Sequence, residues 1–332
     1  MIPKASLSSS VKEKSTEVQF DNDFKSLSVP GSGVAIERCA VRRLGDRVNG
    51  GEHLVALLSG DLGRLLGGVH GLLRLVGRRR RIAERNLERC FPDWSPARRE
   101  RLLSDHFRAL ARMLFETCWS WSAGDARLRR VACIEGAEHL DAARARGKGI
   151  MLITAHVTCL EIGGRIATLA VPETHPVYRP LRRPVLEWYQ NRSRQAYAAA
   201  PIRNRDTRGI LRALRRNEAI WYAPDQDFGP ERSEFAPFFG IQTATLGALV
   251  RLVEKSGCKV VPMFTAFDEK SRKYIARFHS PLEDFPSGDI KADLARINQL
   301  MEEHIRVYPA QYWWIHRRFK TRPPGEPSVY DV

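Results

Sequence analysis

The chain has 332 residues, 43% hydrophobic and 28% charged, which is ample for the core of one large domain or two small ones. Lys and Arg outnumber Asp and Glu by 54 to 38, and the net charge of +16 points to nucleic acid, an anionic membrane or an acidic partner. Six scattered cysteines with no CxxC pair argue against a zinc ribbon or a disulfide framework and suit a reducing cytoplasm.

Residues 1–50 are rich in Ser, Lys and Gly, lack periodicity and read as a disordered extension rather than a secretory signal or a folded unit. From Leu54 to Val76 the runs LVALL, LLGGV and LLRLV are interrupted by Asp61, Arg64, His70 and Arg74. A spanning helix needs about 20 predominantly apolar residues, and a central charge costs roughly 2.5–3.5 kcal/mol. Residues 51–81 are therefore expected to form an amphipathic, membrane-associated segment, with the basic end GRRRR (77–81) against anionic headgroups. The main domain is expected over 82–326, followed by a tail at 327–332.

Within that domain Leu103, Phe107, Leu110, Leu114 and Trp121 recur at helical spacing, which predicts an amphipathic helix over 101–121 packed on a sheet. The apolar run 150–155, bounded by Gly147 and Gly149, reads as a buried strand, and the pattern from Leu160 through Ile166 to Leu169 as a helix. A second short run, AIWYA (219–223), predicts a strand that ends at Pro224. KVVPMFT (259–265) and 274–278 read as further strands, with Pro262 relegating its strand to an edge or a bulge. A late helix is expected over 292–307. Alternation of apolar runs with helical patterns favours a single α/β domain.

The run ITAHVTCLEIGG places His156 at a strand end and Glu161 in the first turn of the helix that follows. Ligands of open α/β sheets bind at the carboxyl ends of strands. Imidazole titrates near neutrality, and a carboxylate on its second nitrogen fixes the tautomer and stabilises the imidazolium. Such a pair fits a base acting on a hydroxyl, although His156 could equally cap a strand and Glu161 favour a helix N-terminus. The other strand end releases Asp225, Gln226 and Asp227, a cluster without the His or Cys that a transition-metal site needs. Arg179, Arg203, Arg205 and Arg208 on the intervening loops would face an anionic or phosphorylated ligand. Cys159, beside Thr158, reads as a small buried hydrophobe more readily than as an acyl-enzyme nucleophile. The block 311–322 interleaves Tyr312, Trp313, Trp314, His316 and Phe319 with Arg317, Arg318 and Lys320. It reads as core with a basic rim, as an interfacial belt or as a stacking surface.

Five ordered blocks, AHVTCLEIGG, YRPLRRP, RGILRALRRNEAIWYAPDQDFG, FAPFFG and QYWWIHRRFKTRPPGE, resemble the late acyltransferases of lipid A biosynthesis, most closely the lauroyl-transferase type. The resemblance runs from about Ile82 to about Glu326. It implies a central mixed sheet flanked by helices, as in glycerolipid acyltransferases, with an N-terminal amphipathic or membrane-associated helix. It also implies transfer of a fatty acyl group, lauroyl in the closest type, from acyl carrier protein to a hydroxyacyl chain of Kdo-modified lipid IVA, a phosphorylated glucosamine disaccharide. The place of action would be the cytoplasmic face of the inner membrane of a Gram-negative cell. The partners would be acyl carrier protein, the glycolipid and membrane lipid, without nucleic acid, metal or further cofactor. Within the family pattern His156 and Glu161 fall on the catalytic dyad. Either Arg203 or Arg205 falls on the family's arginine, and Asp225 on the first acid of its AspGlnAsp block. Arg179, Gln226, Asp227, Arg317 and Arg318 would support the substrate. The N-terminus lacks the cleaner membrane anchor usual in the family.

A thioester is already activated, so the reaction needs chiefly a base for the attacking hydroxyl, worth about 10²–10⁴ in rate, and an oxyanion donor. Backbone N–H groups near Gly163 or an arginine are candidates for that donor. Two rivals are a glycerophosphate or lysophospholipid acyltransferase, for which the downstream Pro-Glu-Gly-x-x-Ser block is missing, and a nucleic-acid-binding protein, supported by charge alone.

Overall fold

A computed structural model describes residues 77–330. In chain order the elements are helices α1 (Gly77–Cys90), α2 (Pro96–Ser122) and α3 (Asp125–Val131), strand β1 (Ala132–Glu135), helix α4 (Glu138–Arg144), strand β2 (Ile150–Ile153) and helix α5 (Leu160–Ala170). Next come β3 (Thr174–Tyr178), α6 (Pro184–Gln195), β4 (Ile202–Arg203), α7 (Thr207–Arg215) and β5 (Ala219–Tyr222). The chain closes with β6 (Ser233–Phe238), β7 (Ile241–Leu246), α8 (Ala248–Ser256), β8 (Lys259–Asp268), β9 (Lys273–Phe278) and α9 (Ile290–Val307).

Seven strands form a mixed sheet in the order β1-β9-β8-β2-β5-β3-β4. Strands β8, β2, β5, β3 and β4 run parallel, while β9 is antiparallel to β8 and parallel to β1. The central strands β2 and β5 are buried along their whole length, as expected of parallel strands covered on both faces. The predicted α/β domain with a mixed sheet and flanking helices is thus what the described residues form. No helix among them is long and apolar enough to cross a membrane. The expected extension (1–50) and all but the last five residues of the amphipathic segment (51–76) lie outside the described residues. The basic run 77–81 opens α1, where Arg80 pairs with Glu84 at 2.7 Å and Glu100 at 2.8 Å.

Local chemistry sets several boundaries. Ser95 caps α2 by accepting from the Arg98 N–H, with Pro96 at the first helical position, and Asp289 caps α9 by accepting from the Lys291 and Ala292 N–H groups. In FAPFFG, Phe239 and Gly240 both have positive φ, the two-residue turn that closes the β6–β7 hairpin. The strained Phe239 is held by its N–H donating to Glu302 (2.7 Å) and by ring contacts to Phe91, Phe238 and Trp314. The paired glycines of LEIGG let α5 lie close on the sheet, since a Cβ at Gly163 would meet Thr265 and one at Gly164 the Trp221 ring.

Two expectations need correction. Leu114 is not on the buried face of α2 but 47% exposed, whereas Leu103, Phe107 and Leu110 are buried. Pro262 is in an interior strand, because β8 pairs with β2 over 259–262 and with β9 over 263–268. Its missing N–H falls where one set of partners gives way to the next. The segment expected as a tail packs on the body through Val329, which is buried, and through the Tyr330 hydroxyl, which donates to Asn86 (2.6 Å).

Candidate active site

β2 and β5 are adjacent and parallel, so the loops leaving their carboxyl ends emerge side by side. The first carries His156 and the second Asp225. One Asp225 oxygen accepts from the His156 backbone N–H at 2.9 Å, and the other lies 2.6 Å from His156 Nδ1. That double contact fixes Nδ1 as the protonated nitrogen and leaves Nε2 to take up a proton. Asp225 is 1% exposed. Burial alone would raise its carboxyl, but the charge and hydrogen bonds of His156 and the nearby charge of Arg318 outweigh burial and hold it down at about 2. It is therefore a carboxylate at neutral pH.

The His156 loop is buttressed by residues much later in the chain. Trp313 N–H donates to the His156 carbonyl (3.0 Å), Thr158 N–H to Gln311 (2.7 Å), and Val157 forms an antiparallel bridge with Tyr312. His156 opens onto a cavity of about 400 Å³. Tyr178, Asn204, Tyr222 and Gln226 line it together with four arginines, Arg179, Arg205, Arg232 and Arg251, against a single acid, Glu231. A histidine paired with a buried carboxylate on the wall of a cationic cavity can accept a proton from an anionic ligand held there.

Residues 49–321 match the family described as bacterial lipid A biosynthesis acyltransferase. The chain is 38% identical over 254 residues to the lipid A biosynthesis palmitoleoyltransferase of Escherichia coli (strain K12), an alignment covering 76% of this chain and 82% of that protein. It is 36% identical over 259 residues to the lipid A biosynthesis lauroyltransferase of the same strain, covering 78% and 84%. A lipid A biosynthesis acyltransferase of Haemophilus influenzae is 35% identical over 273 residues, covering 81% and 87%. The chain belongs to the bacterial lipid A biosynthesis acyltransferase family. Its activity class is acyl transfer.

Within this lipid A acyltransferase the expected bond from Glu161 to His156 is not formed. Glu161 accepts instead from Trp121 Nε1 (2.9 Å) and pairs with Arg194, which reaches both of its oxygens. Asp225 takes the place on the imidazole for which Glu161 was expected. Of the two candidate arginines, Arg205 lines the cavity, whereas Arg203 lies 3.8 Å from Glu187 and does not. Arg179 and Gln226 are on the cavity wall. Asp227 is bound within the protein, accepting from the Thr321 N–H (2.7 Å) and hydroxyl (2.8 Å) and from the Gly229 N–H (2.9 Å).

Arg318, expected to support the substrate, is 1% exposed and donates to the Ala244 carbonyl (2.6 Å) and Thr245 (3.0 Å) beside the Phe238 ring. It is a core residue. Arg317 lies over Tyr330, away from the cavity lining. His316 accepts at Nε2 from the Asp227 N–H (3.2 Å), and burial pushes its imidazole down to about 4, so it is neutral and structural. Cys159 is buried, with its thiol pushed up to about 12 by burial, and is no nucleophile. The Gly163 N–H donates to the Cys159 carbonyl (2.8 Å) inside α5 and is unavailable as an oxyanion donor. Asn204, Arg232 and Arg251 escaped the sequence reading because they come from three separate segments with no shared spacing.

Proposed function

We propose that this protein transfers a fatty acyl chain, lauroyl by the motif resemblance, from acyl carrier protein to a hydroxyacyl group of Kdo-modified lipid IVA at the cytoplasmic face of the inner membrane. The acceptor hydroxyl approaches His156 Nε2 and attacks the thioester carbonyl. Its proton passes to Nε2, and the imidazolium is stabilised by the Asp225 carboxylate on the opposite nitrogen. Collapse of the tetrahedral adduct forms the ester and expels the carrier thiolate, which takes the proton back from His156. The four cavity arginines hold the phosphates of the acceptor, and one of them is the candidate for stabilising the oxyanion.

The observation that carries this reading is the 2.6 Å contact between His156 Nδ1 and a fully buried, ionised Asp225 at an arginine-lined cavity. The test is acylation of tetra-acylated precursor with acyl carrier proteins of several chain lengths, read by product mass. His156→Ala and Asp225→Asn should each lower kcat by about 10²–10⁴. An inactive wild type, or full activity in both variants, overturns the proposal. The palmitoleoyl and lauroyl relatives match at similar identity, so the same assay decides the donor chain.

A further inference from the structure

Helix α6 (Pro184–Gln195) is built the opposite way round from an ordinary surface helix. Three of its polar residues point into the protein. Glu187 faces Arg203, Asn191 donates to the Tyr178 hydroxyl (3.2 Å) on the cavity wall, and the buried Arg194 pairs with Glu161. These three stand at i, i+4 and i+7, one face of the helix. The outward positions carry its apolar side chains. Val185 is 77% exposed, Trp188 61%, Leu186 55% and Tyr189 48%. Leu181 precedes the helix and is also exposed. Leu114 extends the patch on α2, on the same face as Trp121, whose ring meets Tyr189 edge-on at 5.4 Å.

An apolar cluster of this size facing water marks an interaction site. Exposed Arg179, Arg182 and Arg183 flank it in sequence, and exposed Arg192 lies over the Trp188 ring. The only acid between Arg179 and Gln195 is Glu187, which is turned inward. Aromatic and aliphatic side chains accompanied by exposed arginines, with no outward acid in the same segment, complement a bilayer interface in which acyl chains lie beneath anionic headgroups.

We propose that the outer face of α6, with Leu181 and Leu114, docks on the surface of an anionic phospholipid bilayer. The inference rests on the lipid-acceptor reading above and assigns the surface through which that acceptor is reached. The inner face of the same helix fixes the relation, since Asn191 holds Tyr178 in the cavity wall and Arg194 holds Glu161 five residues after His156. A bilayer at α6 therefore lies next to the part of the cavity wall that Tyr178 forms.

The experiment binds the full chain to phosphatidylcholine vesicles with and without phosphatidylglycerol, the latter also in a brominated form that quenches tryptophan. Brominated lipid should quench wild-type emission, and Trp188→Phe should lose most of that quenched component. Leu186→Glu with Trp188→Glu should weaken vesicle binding about tenfold or more, and Arg182→Glu or Arg183→Glu about fivefold each, in phosphatidylglycerol vesicles only. Turnover of detergent-dispersed acceptor should not change. Quenching that is the same in wild type and Trp188→Phe, or wild-type vesicle affinity in the glutamate variants, overturns the proposal. So does a raised KM for the acyl carrier protein in detergent, which would make the patch a protein dock. The vesicle measurements need no turnover. An inactive wild type that docks through Trp188 sinks the proposed function alone, and an active one that does not dock there sinks only this inference.

Discussion

Asp225 presents one oxygen to the backbone of His156 and the other to its ring, while Glu161 bonds to Trp121 and Arg194. The two acids therefore have different work. Asp225 sets the tautomer of His156, and Glu161 neutralises a buried arginine and ties α6 to α2 and α5. Replacing Glu161 by Gln leaves the Arg194 charge uncompensated in a buried setting, which should cost on the order of 3 kcal/mol of stability. The expected outcome for Glu161→Gln is a clearly lower thermal midpoint with a pH–rate profile of wild-type shape. If that variant instead loses kcat as His156→Ala does while its midpoint stays put, Glu161 acts on the chemistry. Spacing along the chain could not separate these roles. Five residues join His156 to Glu161 in sequence, but the acid on the imidazole arrives from the neighbouring strand end, a juxtaposition only the sheet order creates.

The elements themselves were legible where one pattern dominated. Apolar runs marked β2, β5, β8 and β9, and helical spacing marked α2, α5 and α9, because burial imposes those periods directly. The reading failed where a residue answered to tertiary context. Pro262 is tolerated inside β8 where pairing changes hands, and α6, which by sequence reads as part of the intervening loops, hides polar groups while showing apolar ones and so lacks the usual helical signal. The paired glycines near the start of α5 belong to the same class, since their need is set by Thr265 and Trp221 across the interface. Gly164→Ala gains up to about 1 kcal/mol of helix propensity but drives a methyl into the Trp221 ring, where overpacking costs about 1–3 kcal/mol. The urea midpoint of Gly164→Ala should fall. A rise would mean that α5 can back away from the sheet freely.

Across the whole domain, several histidines are held neutral. Burial pushes His106 down to about 4, where its ring lies 2.9 Å from the Ala310 carbonyl, and pushes His304, stacked on Phe264, down to about 3. Each has a folded value below the unfolded value of about 6.5, so the unfolded chain binds the proton first. The stability they allow is full above about pH 6.5 and falls as pH drops toward 4, by about 1.4 kcal/mol per pH unit for each histidine. Denaturant titrations at pH 5 and 7 should show the lower midpoint at pH 5, and His106→Gln should flatten that dependence by about one proton. An equal slope in the variant would mean that His106 is not the group that titrates.

The strap of residues 311–321 has a consequence in time as well as in space. His156 is fixed by Trp313, Val157 by Tyr312, and the Asp225 loop by Thr321 through Asp227. A ribosome makes His156 and Asp225 long before it makes the residues that hold them. A nascent chain therefore holds His156 and Asp225 without the strap that braces their loops, and the pair is fully braced only once that late stretch has been made.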